Sequence, residues 1–473
     1  MMKARLSLAS VILSLSSIGI SADIASDARA LIDCADYDAA IGILQAELER
    51  APKSNQTGVL NALLGECKFE TGDYSGARHC LEIAKSKGVA DAYRFLGKIA
   101  YLDYDFDLAS ENYAKYRQLK TKVKKPIAPE AEEEEKRIST ANDFLNRVEK
   151  IAVIDSITAD LSDFYKSYRL PMSSGRIVSP DEIPNPDSRQ FASMAYMSEA
   201  GDFIMWAEPD SIGNHRIYES MRLTDGSWHE PVLTGEGLLE GFSDFPFMMP
   251  DGLTLYFAND GPESIGGYDI FVASRDAATG EYLQPSNLGM PYNSPYDDFM
   301  LAIDETNGIG WWATDRNRLD GKVTIYVFAV NDFRTNCNPD EDDVIKLARI
   351  DRISDTQGDK DYSDLLAAIA EIDTDAREKK ADFRFPVGKG IVYTSLDDFK
   401  TEAGREAMKT YTEACRKYDA DKSTLKELRK RYASSPSKSL AAEIRQSEKT
   451  LETDLGRLTR LRSDVFRAEK EKQ

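Results

Sequence analysis

The sequence predicts a multidomain α + β protein: a helical-repeat region, then a β-repeat region, then a C-terminal helical hairpin. Three observations predict it. A turn followed by a small residue at a fixed offset recurs near the N-terminus. Short apolar runs between Gly, Asp, Asn and Pro fill the middle. Apolar residues at heptad steps return after Asp397.

The 473 residues suffice for roughly three domains. With 60 Lys and Arg against 81 Asp and Glu, the formal charge is −21. Such a field repels phosphate backbones and anionic lipid, which argues against a nucleic-acid partner. Only His79, His215 and His229 occur, and no two have the spacing of a metal-ligand pair. GxSxG and Walker loops are absent. The composition therefore predicts a non-enzymatic protein with no catalytic, metal or cofactor residues.

At the N-terminus, Lys3 and Arg5 precede an apolar run from Leu6 to Ile20. Gly19 and Ser21 fit the small positions before a cleavage site. Residues 1–21 thus read as a secretory signal, too short and too interrupted to span a bilayer. No cysteine lies near the cleavage point, and no later run approaches ~20 apolar residues, so the expected product is exported, without lipid anchor or membrane span.

Residues 22–125 hold three copies of one layout. Leu64-Gly65, the turn Gly72–Tyr74, then Ala77 and Leu81 form the clearest; Ala35–Tyr37 with Ala40 and Leu44 form another. Leu96-Gly97, Asp103–Asp107, Ala109 and Tyr113 form the third. The offsets, 32 residues between the Leu-Gly pairs and 37 between Tyr37 and Tyr74, are those of a helix-hairpin array. These segments resemble tetratricopeptide repeats, whose period is about 34 residues. That resemblance implies a groove lined by the first helix of each repeat. Asn61, Glu66, Arg94 and Lys98 are then candidates for binding a peptide by charge complementarity, or ordinary solvated residues. Cys67 and Cys80 are expected to face each other across the second hairpin, as buried free thiols or as a disulfide. Residues 126–172 read as a linker helix, from the acidic start Glu130–Lys136 through Ile138, Val148, Ile151 and Ile154.

Residues 173–396 are the β-repeat region. Phe191, Phe245 and Phe299 are spaced by 54 residues, and apolar runs ending in alanine follow each: Phe203–Ala207, Leu255–Ala258 and Gly310–Ala313. The three phenylalanines are expected to occupy equivalent buried positions. Pro250–Asp276 resembles the TolB-type, WD40-like β-propeller repeat, with its PDG turn, aromatic strand, Gly-rich loop and following strand. In the third copy Asp304–Gly308 stands in place of PDG, and in the first Glu199–Gly201 does, so the propeller is expected to be irregular. Ile345–Ile353 and Phe383–Ser395 are expected to supply a further strand set. Turn aspartates Asp244, Asp260, Asp269, Asp297 and Asp298 read as caps of backbone N–H groups, their spacing being wrong for a calcium loop.

In residues 397–473, Met408, Tyr411, Cys415, Tyr418, Leu425 and Tyr432 precede a break at Ala433–Ser437. Leu451, Leu455, Leu458 and Val465 then form the opposing seam of an antiparallel coiled-coil hairpin, an internal stalk or an arm for self-association. The whole order resembles Bacteroidota envelope proteins related to the periplasmic component of the type IX secretion system, without its OmpA-like module. The resemblance implies a periplasmic, outer-membrane-associated scaffold that binds protein partners. Asp155-Ser156-Ile157 and Asp210-Ser211-Ile212 fit the O-glycosylation triplet of such bacteria, with Ser156 and Ser211 as acceptors. The alternative is a glycan-binding or glycan-cleaving propeller.

Overall fold

The computed structural model describes residues 24–372, save 186–187, 191, 193, 224–225 and 341, and residues 385–470, save 389–390, 394 and 435–436. The expected signal segment and Phe191 lie outside the described residues. The chain divides into two compact units, with the division after Ile372. The boundary expected at 396 thus moves upstream, and regions read as three domains form one unit.

Seven helices come first: α1 (Ile24–Asp33), α2 (Tyr37–Arg50), α3 (Thr57–Glu70), α4 (Tyr74–Ser86), α5 (Ala90–Leu102), α6 (Phe106–Lys122) and α7 (Ala131–Leu145). The recurrent turn has one physical design. Ala35, Gly72 and Tyr104 adopt positive φ, and the next aspartate caps the following helix. Asp36 accepts from Ala39 N, Asp73 from Gly76 N and Asp105 from Leu108 N. Ala40, Ala77 and Ala109, three residues into those helices, have no exposed surface. Gly65 and Gly97 permit the close approach. A Cβ at Gly65 would lie 2.6 Å from Leu81 Cγ, and one at Gly97 2.7 Å from the Tyr113 ring.

The residues after α7 correct the linker-helix expectation: β1 (Ala152–Asp160) is a strand. Val153, Ile154, Ile157 and Thr158 are β-branched, and the i, i+3 fit of Ile151 and Ile154 to a helical stripe was a coincidence of period.

Three antiparallel sheets follow. The first orders β2 (Arg176–Val178), β3 (Ala195–Met197), β4 (Phe203–Pro209), β5 (His215–Met221) and β6 (Val232–Leu233) side by side. The second comprises β7 (Ser243–Met248), β8 (Thr254–Asn259), β9 (Asp269–Ser274) and β10 (Ser286–Asn287). The third comprises β11 (Asp298–Asp304), β12 (Ile309–Thr314) and β13 (Lys322–Ala329), and β1 completes its outer edge.

The pairing revises the 54-residue register. Ser243 pairs with Asn259 and Phe247 with Tyr256; Asp298 pairs with Thr314 and Ala302 with Trp311. Every such pair is related by 55 residues, as are Asn259–Asp269 and Thr314–Thr324. Phe245 therefore corresponds to Met300, and both sit in a bulge at φ +55° and +53°. Phe299 corresponds to Asp244. Phe245 and Phe299 are both buried, as expected, but in non-equivalent places, their rings stacked 4.7 Å apart. Phe164, from the turn after β1, meets both edge-on, at 6.4 and 5.4 Å. Tyr168 donates its hydroxyl to Met300 O at 2.8 Å. Aromatic side chains thus fill the space among the inner strands β7 and β11.

Ile345–Ile353 is helical, not strand: α8 (Val344–Arg349) begins at Asp343, whose carboxylate caps Lys346 N, and α9 (Ile353–Gln357) follows. α10 (Ser363–Glu371) ends the first unit. Helices and sheets share one apolar seam, in which Tyr104, Phe106, Tyr116 and Ile138 pack with Ile265, Met290 and Ala348.

In the second unit, β14 (Phe385–Gly388) and β15 (Ile391–Tyr393) form a hairpin, not a further sheet of the β region. α11 (Glu402–Ser434) and α12 (Lys438–Lys470) run antiparallel. Arg429 bridges Glu448 at 2.7 Å, and Thr401 N donates to Glu469 at the far end. Met408, Leu425, Leu428, Leu451 and Val465 are buried along the seam, and Phe385, Tyr393 and Phe399 close its open end. Tyr432 is 38% exposed, so the seam opens before the turn.

Candidate partner-binding surfaces

The residues expected to line the groove lie on α3 and α5, but the structure does not leave them free. Asn61 is buried and donates Nδ2 to Thr57 O, one turn back in α3 at 2.8 Å; it is a packing residue, which corrects its assignment as a contact. Glu66 is held by both guanidinium nitrogens of Arg29 in α1, each at 2.8 Å. Arg94 forks onto Glu134 of α7 with two 2.7 Å bonds. Lys98 reaches the same carboxylate at 3.1 Å. The cause is the stacking of helices in the array. Polar side chains on neighbouring first helices face one another at short range, and opposite charges there pair.

Glu134 is the centre of this cluster. Burial opposes its ionisation, but the Arg94 hydrogen bonds, the Lys98 and Arg94 charges and the Tyr113 hydroxyl bring its carboxyl down to about 2. Beside it a cavity of about 190 Å³ opens among α3, α5, α6 and α7. Phe69, Tyr101, Tyr113 and Ile138 supply apolar walls, and the charged lining is paired, Lys98 with Glu134 and Arg137 with Glu133 at 2.8 Å. The Lys98 ammonium lies 5.4 Å from the Phe69 ring centroid and 5.2 Å from that of Phe95. Tyr101 donates its hydroxyl to Ile265 O, which joins this wall to the second sheet. Phe69 and Tyr101 were missed from the sequence, although each lies one turn beyond its repeat glycine, Gly65 or Gly97. Arg137 was missed because α7 carries no repeat signature.

The thiols of Cys67 and Cys80 are both free and lie in one apolar cluster, so no bond joins them. Burial pushes the Cys67 thiol up to about 12, and that of Cys80 also rises. Ser156 and Ser211 are both exposed. Ser156 lies opposite Tyr326 on the outer strand β1, and Ser211 lies in the turn where Asp210 accepts from Ile212 N and Asn214 N.

Asp244, Asp260, Asp269 and Asp297 accept from backbone N–H groups as expected, whereas Asp298 does not: it lies in β11 and accepts from the side chains of Ser294 and Arg316. Asp260 accepts from Phe242 N at 2.6 Å, and Asp315, 55 residues on, accepts from Asp297 N at 2.9 Å. Asp269 accepts from Ile265 N, Gly266 N and Asn287. Asp298 receives the fully buried Arg316 at 2.7 Å, and the same guanidinium donates to Pro291 O and Tyr292 O. Among the described residues, no group of His, Cys, Asp and Glu is placed to hold a metal ion, and no helix is long and apolar enough to cross a membrane. Comparison with family models, with curated proteins and with solved structures gives no match to this chain.

Proposed function

We propose that the chain is a non-catalytic scaffold of the bacterial periplasm that holds protein partners of an outer-membrane-associated complex. In this reading the seven helices are a tetratricopeptide array with α7 as the last first-helix. The three sheets are propeller-type blades, the third completed by the early strand β1. The observation that carries the reading is the cavity beside Glu134. It combines aromatic walls with the paired charges of Lys98, Glu134 and Arg137, on the face where such arrays receive polypeptide segments. A short peptide presenting an apolar or aromatic side chain fits that chemistry.

The phenylalanines packed among β7 and β11 favour binding over glycan cleavage. In this reading they would fill the axial region, where a hydrolase would need two converging carboxylates. Residues 1–21 would direct export, giving a mature protein that begins at Ala22.

The test compares Phe69→Ser and Lys98→Glu, singly and together, with the unaltered chain in affinity capture from envelope extracts. Both variants should keep the circular dichroism of the parent and lose the same captured proteins. Undiminished capture would move the docking surface away from the array.

A further inference from the structure

The first sheet carries a larger cavity, of about 320 Å³, that the scaffold reading does not use. Its floor is Trp206 and Ser220, its near wall is Trp228, His229 and Glu230, and Asn185 contributes from the far side. The near wall is firmly built. After β5 the chain turns and runs back beside it, with Leu223 N donating to Ser227 O at 2.7 Å and His229 N to Met221 O at 2.9 Å. The Ser220 hydroxyl donates to His229 O at 2.7 Å, and Val232 then pairs with Glu219. Trp206 is fully buried, its indole N–H fixed on Glu208 at 3.0 Å. Trp228 is half-buried and packs on the cluster that contains Trp206.

The chemistry of the lining selects a ligand class. His229 Nδ1 lies 2.8 Å from the Glu230 carbonyl, so Nδ1 donates there and Nε2 is left as the ring's second polar atom. Asn185 brings an amide, and Glu230 an exposed carboxylate. Among the described residues no Lys or Arg lines the cavity, and the chain is strongly acidic, which disfavours phosphate or any anionic ligand. A wholly apolar ligand would desolvate these polar groups without replacement. An added peptide strand is excluded at β5, because the returning segment already pairs there.

We propose that this cavity binds a neutral saccharide unit, its C–H face on the Trp228 indole and its hydroxyls on Asn185, His229 and Glu230. The volume is at the lower end of ordinary ligand pockets, about 300–1,000 Å³, and suits the end of a chain.

The probes are chitotetraose, cellotetraose and mannotetraose, followed by calorimetry and by tryptophan fluorescence of the full chain. At least one should bind saturably with a Kd on the order of 1 mM or tighter and perturb the fluorescence. Glu230→Gln and His229→Ala alter exposed side chains and should each weaken binding about tenfold or more with the fold intact. Trp228→Ala should abolish it. The proposal is overturned if no probe binds saturably, or if the Glu230 and His229 variants bind as the parent does. It is equally overturned if glucose 6-phosphate or a proline-rich peptide binds there in place of the neutral sugars. Because these residues are remote from Phe69 and Lys98, either outcome leaves the scaffold reading to its own test.

Discussion

Asp298 and Arg316 show how much a single buried charge can weigh. Asp298 is fully buried, and Arg316 serves it while also donating to Pro291 O and Tyr292 O. Burial raises the Asp298 carboxyl and Arg316 opposes the rise. Removing the guanidinium in Arg316→Ala leaves an unpaired buried carboxylate and should cost about 3–5 kcal/mol in denaturant unfolding. Asp298→Asn in the same background should recover part of that loss. Asp315 gives a pH signature. Burial, then repulsion by Asp297, pushes its carboxyl up to about 7, against an ordinary 3.8. Asp269 is likewise pushed up to about 7, by burial. Between these values the folded chain holds protons that the unfolded chain has released. Their contribution is therefore full below about pH 4 and is lost as pH rises through 7. The melting temperature should be higher at pH 6 than at pH 8, and Asp315→Asn should flatten that slope. Calorimetry that shows a steeper slope in the variant would refute the assignment. The capping role of Asp260 and Asp269 was legible in the sequence, because Asp in a turn has one dominant use, but Asp298, read the same way, binds Arg316 instead. The proton affinities of these aspartates were not legible, since they depend on which carboxylates the fold brings together.

At the scale of elements, the helix pairs were legible and the strand register was not. The turn-plus-three alanine and the Leu-Gly pair each record a close approach that only a small residue allows, so they mark the same place in every repeat. The 54-residue phenylalanine spacing records no such constraint. Both copies carry the same bulge, but Phe245 is its left-handed residue whereas Phe299 stands one position before the equivalent Met300, so the two rings are 54 apart within a 55-residue repeat. The alanines ending Leu255–Ala258 and Gly310–Ala313 carried the 55-residue period all along. Strand β1 was missed because its value lies in completing the third sheet, a pairing with residues 322–329 that no local window contains. The corrected register still predicts large penalties. Phe245→Ala and Phe299→Ala should each cost about 3–5 kcal/mol, and the double variant should cost less than the sum, since each ring is the other's neighbour. Strict additivity in urea titrations would mean that the stack is not formed. The attachment of α7 is a separate case. Glu134→Ala strands Arg94, Lys98 and the Tyr113 hydroxyl together and should destabilise the array by about 1–3 kcal/mol, with Glu134→Gln intermediate.

For the molecule as a whole, the candidate groove was legible as a face but not as a list of contacts. The sequence places Glu66, Arg94 and Lys98 on first helices, yet only the folded array shows that their partners are its own Arg29 and Glu134. The same holds for the division of the chain. Composition shifts suggested boundaries near 125, 172 and 396, whereas packing makes one unit to Ile372 and another beyond it. In the first unit no cut at 125 or 172 is neutral, because Tyr101 bonds Ile265 O, Arg318 stacks 3.9 Å from the Tyr74 ring, and β1 belongs to the third sheet. The second unit has its own core in Phe385, Tyr393, Phe399, Met408 and Val465, closed by Glu469 accepting from Lys400 N and Thr401. A fragment of residues 24–372 and another of 373–473 should therefore each unfold cooperatively, the latter with strongly helical dichroism. A fragment of residues 24–151 should not, since it exposes the apolar seam around Tyr104, Tyr116 and Ile138 and removes the covering residues Ile265 and Met290. Cooperative melting of 24–151 at the midpoint of 24–372 would show that the helices stand alone and that the seam is only a contact between independent domains.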